Sequence, residues 1–334
     1  MKLCTIGCGA HAHSVHGPSQ RRCASQYADV ELTSCCDLNP KHAASFAQKF
    51  GYARSTTDWK EMVRREKPDA ICLILPPQHI ADVAVPLLNE GIAILLEKPP
   101  GLTSQDLDCL IEAAQKGGGI HQVAFNRRYT PLLVEAFRTL TTEISPRDVI
   151  QIRYEMVRHN RTDPDFSVTA IHAIDAALFL ARSPACSARF EFHELPHLGA
   201  GVAAATMNVV CESGTRVQCL FQPVAGVVLE RVVIHAIGMT LTVDLPMWDG
   251  FDSPGYLRLW KKDQLVKVVL GNELSGVEMF ELCGFYDETV AFLNCVRADR
   301  PAAPTLEDSR NSMLLMECYR KRMREFSFLS PVLV

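Results

Sequence analysis

Six residues, Gly7-Cys8-Gly9-Ala10-His11-Ala12, follow directly on a short apolar strand at residues 2–6 and open a helical stretch at about residues 13–26. No other stretch narrows the fold so far. Gly7 permits the tight turn, Gly9 lets backbone approach a pyrophosphate, and Ala12 is small enough for the helix to pack on the strand. The helix amino terminus then offers N–H groups and a partial positive charge to phosphate. A second strand at residues 30–36 ends in Asp37, whose carboxylate can accept both ribose hydroxyls of an adenosine and would repel a 2′-phosphate. The step from Gly9 to Asp37 exceeds the usual ~20 residues, which a longer helix or loop absorbs. These residues predict a dinucleotide-binding domain that takes NAD in preference to NADP.

The alternation of strand and helix continues. Residues 40–50 read as a helix with Pro40 at its start, residues 58–66 as another, and the apolar run 70–75 as a strand stopped by Pro76 and Pro77. Residues 81–89 are helical, with Gly91 just past the end. Ile94, Leu95 and Leu96 form a run without polar alternation, the mark of a strand buried on both faces of a parallel sheet. Glu97 and Lys98 break out of it, and Pro99, Pro100 and Gly101 force a turn before a helix that Thr103 caps with Asp106 three residues on. Such alternation implies right-handed crossovers and a parallel sheet. Ligands bind outside the carboxyl ends of such strands, and a partly desolvated lysine there has a lowered pKa suited to proton chemistry. The bland alternative is a solvated Glu-Lys pair on a loop.

With 334 residues the chain suits two domains. Its 48% hydrophobic and 22% charged residues and net charge of -4 describe a globular protein without the basic excess that tracks nucleic acid. No stretch approaches the about 18 apolar residues of a membrane span, and the first residues lack the sections of a secretory signal. Thirteen cysteines, scattered apart from Cys35-Cys36 and without CxxC spacing, read as buried reduced thiols. The expectation is a cytoplasmic protein with no nucleic-acid or membrane partner. His13 and His16 share a helical face, but with His11 they have no local carboxylate or thiolate as a third ligand, so no metal is expected.

After Gly117-Gly118-Gly119 and a last strand at residues 120–125, the segment Asn126-Arg127-Arg128-Tyr129-Thr130-Pro131 hands over to a different texture. Residues 149–157, 202–211, 216–221, 227–236, 240–245 and 256–260 read as strands of one mostly antiparallel sheet. Residues 168–180 are apolar at helical spacing, with His172 and Asp175 three apart on one face. A helical pair at about 286–297 and 306–326 closes the chain. The expected boundary puts a Rossmann domain at 1–122 and a substrate-binding and oligomerisation domain at 123–334.

At this point the chain resembles the Gfo/Idh/MocA oxidoreductase family, named for glucose-fructose oxidoreductase and inositol dehydrogenase. The resemblance rests on GCGAHA at Gly7, Asp37, Pro76-Pro77, Glu97-Lys98-Pro99, FNRRYTP from Phe125, His172 with Asp175, and FYDETVAFL from Phe285. It implies an α/β protein: an amino-terminal Rossmann domain, and a carboxyl-terminal α/β domain whose large open sheet mediates a homodimer or homotetramer. It implies hydride exchange between NAD(P) and a sugar or cyclitol carbon, Lys98 and His172 as the catalytic pair, and a cis Lys98–Pro99 bond. The chemistry agrees: oxidising a secondary alcohol needs a base for the hydroxyl proton and a cation for the developing alkoxide, which suit a near-neutral histidine and a desolvated lysine.

The cofactor set is then Gly7, Cys8, Gly9, Ala10, His11, Ala12, Asp37, Leu38, Pro76, Pro77, His79, Glu97 and Lys98. The substrate set is Lys98, Arg127, Arg158, Asn160, Arg161, His172 and Asp175, with Asp175 orienting rather than acting as base. Two positions depart from the family pattern. Val168 stands where an aspartate is common, leaving Asp163, Asp165 or Thr169 to substitute, and Ile80 replaces a histidine, with His79 one step early. The leading expectation is an NAD-dependent dehydrogenase of a sugar, cyclitol or glycoside. Its competitors are an NAD-retaining lyase or glycosidase that oxidises its substrate transiently, and a non-catalytic cofactor-binding protein.

Overall fold

The structure, a computed structural model, describes residues 1–248 and 250–328. The chain divides into two compact units, Met1–Asn126 with Gly284–Arg310, and Arg127–Cys283 with Asn311–Val334.

The first unit is a six-stranded parallel sheet: β1 (Lys2–Ile6), β2 (Glu31–Cys36), β3 (Arg54–Thr56), β4 (Ala70–Leu73), β5 (Ala93–Glu97) and β6 (His121–Ala124), in the order β3-β2-β1-β4-β5-β6. The order reverses between β1 and β4, so the crevice outside their carboxyl ends is the place for a ligand. Strands β4 and β5 are buried along their whole length, as their unbroken apolar runs require. Local signals set the helices. Asn39 caps Pro40–Phe50 and Gly51 ends it with φ 86°. Thr103 and Asp106 form the expected capping box of Ser104–Gly117.

The expected boundary at 122/123 assigned everything beyond it to the second domain, whereas Gly284–Arg310 returns to the first unit. The helix Phe285–Arg297 buries Phe292 and Leu293 in the same core as Leu3, Phe46 and Cys72, and Arg297 pairs with Asp29 at 3.0 Å. The stretch after the glycine turn also differs from the expected α-helix, because Ala12–His16 is a π-helical turn before the α-helix Gly17–Gln26.

The second unit is a nine-stranded sheet: β7 (Val149–Val157), β8 (Ala185–Glu194), β9 (Ala203–Cys211), β10 (Arg216–Gln222), β11 (Leu229–Ala236), β12 (Met239–Leu245), β13 (Tyr256–Lys261), β14 (Gln264–Leu270) and β15 (Glu325–Ser327). Its order is β14-β13-β12-β11-β7-β10-β9-β8-β15, antiparallel except where β7 and β10 run parallel. One face packs on the helices Pro131–Glu143, Ser167–Ala181 and Arg310–Arg320 through Leu133, Ile174, Leu315 and Tyr319. Outer positions such as Ile150, Val210 and Val268 are exposed. Strands β8 and β14 and the helix Pro131–Glu143 are additions to the sequence reading. The expected helix over 306–326 is instead a short turn, Glu307–Ser309, the helix Arg310–Arg320, and the edge strand β15. Eleven of the thirteen cysteines are buried, Cys109 and Cys186 being exposed. Among the described residues no helix is long and apolar enough to cross a membrane.

Candidate active site

Gly7 adopts φ 97°, and a Cβ there would stand 2.0 Å from the Ile74 carbonyl oxygen, so only glycine fits between β1 and β4. Gly9 faces the other way: a Cβ on it would meet nothing within 4 Å. The turn therefore has one side locked on the sheet and one side open to a ligand. Ala12 is fully buried, which is the close packing its size permits. Asp37 closes the turn from β2. Its Oδ2 accepts the Cys8 N–H at 2.8 Å, and its Oδ1 accepts the Asn39 N–H at 2.8 Å.

Two cavities open along this edge of the first unit. One, of about 360 Å³, is lined by Gly7, Asp37, Leu38, Trp59, Pro76 and His79 among others. The other, of about 370 Å³, is lined by Gly9, Ala10, His11, Pro76, Glu97 and Lys98 among others. Pro77 opens the helix Pro77–Asn89, and Leu38 is 91% exposed. Trp59 is a lining residue that the sequence reading missed. Its only signal is its place directly after the capping Asp58 of the helix Trp59–Glu66.

Glu97 ends β5 buried, and both of its oxygens are engaged. Oε1 lies 2.6 Å from His16 Nε2 and 3.2 Å from His11 Nε2, while Oε2 accepts the Lys98 backbone N–H at 3.1 Å. Burial pushes the Glu97 carboxyl up, but His11 and His16 outweigh it and hold the carboxyl well below the usual range. Burial pushes the His16 imidazole down, against the pull of the Glu97 carboxylate beside it. The sequence paired His13 with His16. Instead His13 packs edge-on against Phe46 and Phe50, and His11 meets His16 with ring centroids 5.3 Å apart. The cause is the π turn. In an α-helix, residues five apart point about 140° away from each other, whereas a turn closed by i→i+5 bonds stacks them. A carboxylate does reach the two histidines, that of Glu97, from 81 residues along the chain. The Lys98–Pro99 bond is cis, as the resemblance implies.

In the second unit His172 is half-buried on the helix Ser167–Ala181. Asp175, one turn on, is fully buried and accepts from Arg128 Nε at 2.8 Å, Arg128 Nη2 at 2.7 Å and Ser312 Oγ at 3.0 Å. Two expected substrate residues, Arg127 and Arg158, are engaged on one buried carboxylate inside the unit. Arg127 forms a two-pronged pair with Glu230 at 2.9 Å on each arm, Arg158 binds the same carboxylate, and Tyr154 donates to it at 2.5 Å. Burial pushes the Glu230 carboxyl up, yet the two guanidiniums beside it hold it far below the usual range. These arginines satisfy a buried charge rather than an open surface. Arg161 pairs with Asp163 at 2.9 Å and reaches Thr169 Oγ1 at 3.1 Å, and Asp165 accepts the Ser167 N–H at 2.9 Å. Asn160 is exposed in the same loop with φ 57°, and Val168 is half-buried.

A family model described as an oxidoreductase family with an NAD-binding Rossmann fold matches residues 1–125. Levoglucosan dehydrogenase of Pseudarthrobacter phenanthrenivorans is 33% identical over 102 residues, 30% of this chain and 26% of that protein. Inositol 2-dehydrogenase of Salmonella typhimurium is 28% identical over 166 residues, 48% of this chain and 49% of that protein. The matched part thus spans about a quarter to a half of these relatives' lengths. The solved structure of a levoglucosan dehydrogenase in complex with NADH aligns with a TM-score of 0.82 at 15% identity, over 99% of this chain and 100% of that one. At that identity the likeness speaks for the fold.

Proposed function

We propose that this chain, whose residues 1–125 match the model of the Gfo/Idh/MocA oxidoreductase family, is a member of that family and an NAD-dependent dehydrogenase of a sugar, cyclitol or glycoside hydroxyl. The observation that carries this reading is the glycine turn clasped by Asp37, with Glu97 and Lys98 lining the next cavity along the same edge. The Asp37 carboxylate favours the ribose hydroxyls of NAD over the 2′-phosphate of NADP. Relatives named for levoglucosan and inositol support the substrate class.

In the proposed reaction His172 takes the hydroxyl proton, Lys98 steadies the alkoxide, and the carbinol C–H leaves as hydride to the nicotinamide, giving a carbonyl and NADH. Asp175 has a positioning role: with Arg128 and Ser312 it anchors the helix that carries His172. Asn160 and Arg161 are the remaining candidates for substrate contacts. The outer face of the nine-stranded sheet, with Ile150, Val210 and Val268, supports a homodimer or homotetramer, in the cytoplasm. Incubation with NAD and a panel of free sugars, inositols and glycosides tests the reading. Net NADH accumulation is expected. Product without net NADH would mark transient oxidation, and tight NAD binding without any product across the panel would mark a non-catalytic protein.

A further inference from the structure

The dinucleotide reading uses the backbone of the glycine turn and leaves the imidazoles of His11 and His16 unexplained. Each directs its Nε2 at one oxygen of Glu97, and the three ligand atoms lie within 4.8 Å of one another. His16 and Glu97 are buried, the first at the end of the π turn that follows β1 and the second at the end of β5. His11 is exposed and, with Glu97, lines the open cavity of about 370 Å³.

We infer that His11, His16 and Glu97 form a site for a divalent transition-metal ion of the zinc class, with an open coordination position toward that cavity. Two imidazole nitrogens and one carboxylate oxygen are the donor set of sites that keep a position free for water or ligand. Ligand atoms about 2.0–2.1 Å from a tetrahedral ion stand roughly 3.3 Å apart. The His11–Glu97 separation of 3.2 Å already matches, and the His16–Glu97 separation of 2.6 Å must open by about 0.7 Å to reach that spacing. His11, at 41% side-chain exposure, has room to follow. The second carboxylate oxygen accepts the Lys98 backbone N–H, the outer support that fixes a ligating carboxylate. Magnesium and calcium, which prefer all-oxygen shells, are poor occupants.

Cobalt(II) is the probe, because its visible absorption reports nitrogen and oxygen ligation directly. Titration of the nucleotide-stripped protein should give a saturable visible band with a one-to-one endpoint, bleached by zinc and unaffected by magnesium. His11→Ala should weaken binding at least about 10²-fold. His16→Gln should do the same, whereas His13→Ala should bind like the unmodified protein. No band at millimolar cobalt would overturn the inference and leave a simple hydrogen-bonded clamp on Glu97. So would a His11→Ala protein with the same band and affinity. The readout does not involve turnover or NAD, so its failure leaves the dehydrogenase reading standing, and the failure of that reading leaves the metal result standing.

Discussion

Asp37 Oδ2 accepts the backbone N–H of Cys8 across 29 positions of chain, at 2.8 Å. The carboxylate proposed to select the cofactor therefore also holds the turn that would cradle its phosphates. Asp37→Ser should do two things at once. NAD should bind about 10- to 150-fold more weakly, the loss of a hydrogen bond to a charged group, and the margin over NADP should narrow. Fluorescence titrations with both dinucleotides measure this, and an unmodified protein that binds NADP as well as NAD would remove the claim.

Glu230 is the hub of a buried cluster with Arg127, Arg158 and Tyr154. Glu230→Ala leaves two guanidiniums buried without their counter-charge, which costs about 3–5 kcal/mol. Urea unfolding followed by tryptophan fluorescence should show a clearly lower midpoint. A shift within error would mean that water replaces the carboxylate.

Lys98→Ala and His172→Ala should each lower kcat by about 10²- to 10⁴-fold while NAD still binds. Because both serve one transition state, the double variant should lose far less than the product of the two. Near-normal turnover of Lys98→Ala would place the chemistry on other residues.

Glu66 fixes a pH dependence. Its side chain is 3% exposed, and Arg54 grips it at 2.8 and 2.6 Å. The Arg54 hydrogen bonds, with help from Arg65 and against burial, lower its pKa to about 2. The unfolded value is about 4.3, so the folded protein binds fewer protons than the unfolded chain between these values. The stabilisation is therefore complete above the unfolded pKa and is lost as pH falls toward about 2. Thermal melts between pH 6 and pH 2.5 should show a drop in Tm that is smaller in Glu66→Gln, which also starts about 1–3 kcal/mol less stable. Parallel curves for the two proteins would deny Glu66 this role.

What was legible in the chain was whatever is encoded within a few residues. Gly7 and Ala12 announce the turn because only small residues fit there, Thr103 and Asp106 announce a helix start, and residues 94–96 announce a strand buried on both faces. The meeting of His11 with His16 was hidden because it depends on a π turn in place of an α-helix, and Glu97 joins them from far along the chain. Arg127 and Arg158 look like surface arginines until Glu230 is brought to them. Strand β8 escaped notice because charged residues such as Arg189 and Glu191 fill its outward positions, so its apolar signal is thin.

The return of Phe285–Arg297 to the first unit has a consequence for how the protein is made. Phe292 and Leu293 complete the core around Leu3 and Phe46, yet roughly 160 residues separate Asn126 from Gly284, which at about 5–20 residues per second is on the order of 10–30 s of synthesis. The Rossmann sheet thus leaves the ribosome with one flank uncovered and waits through translation of most of the second unit. A gene fragment stopped at Asn126 would keep that flank bare, so neither unit can be produced by a single cut of the reading frame.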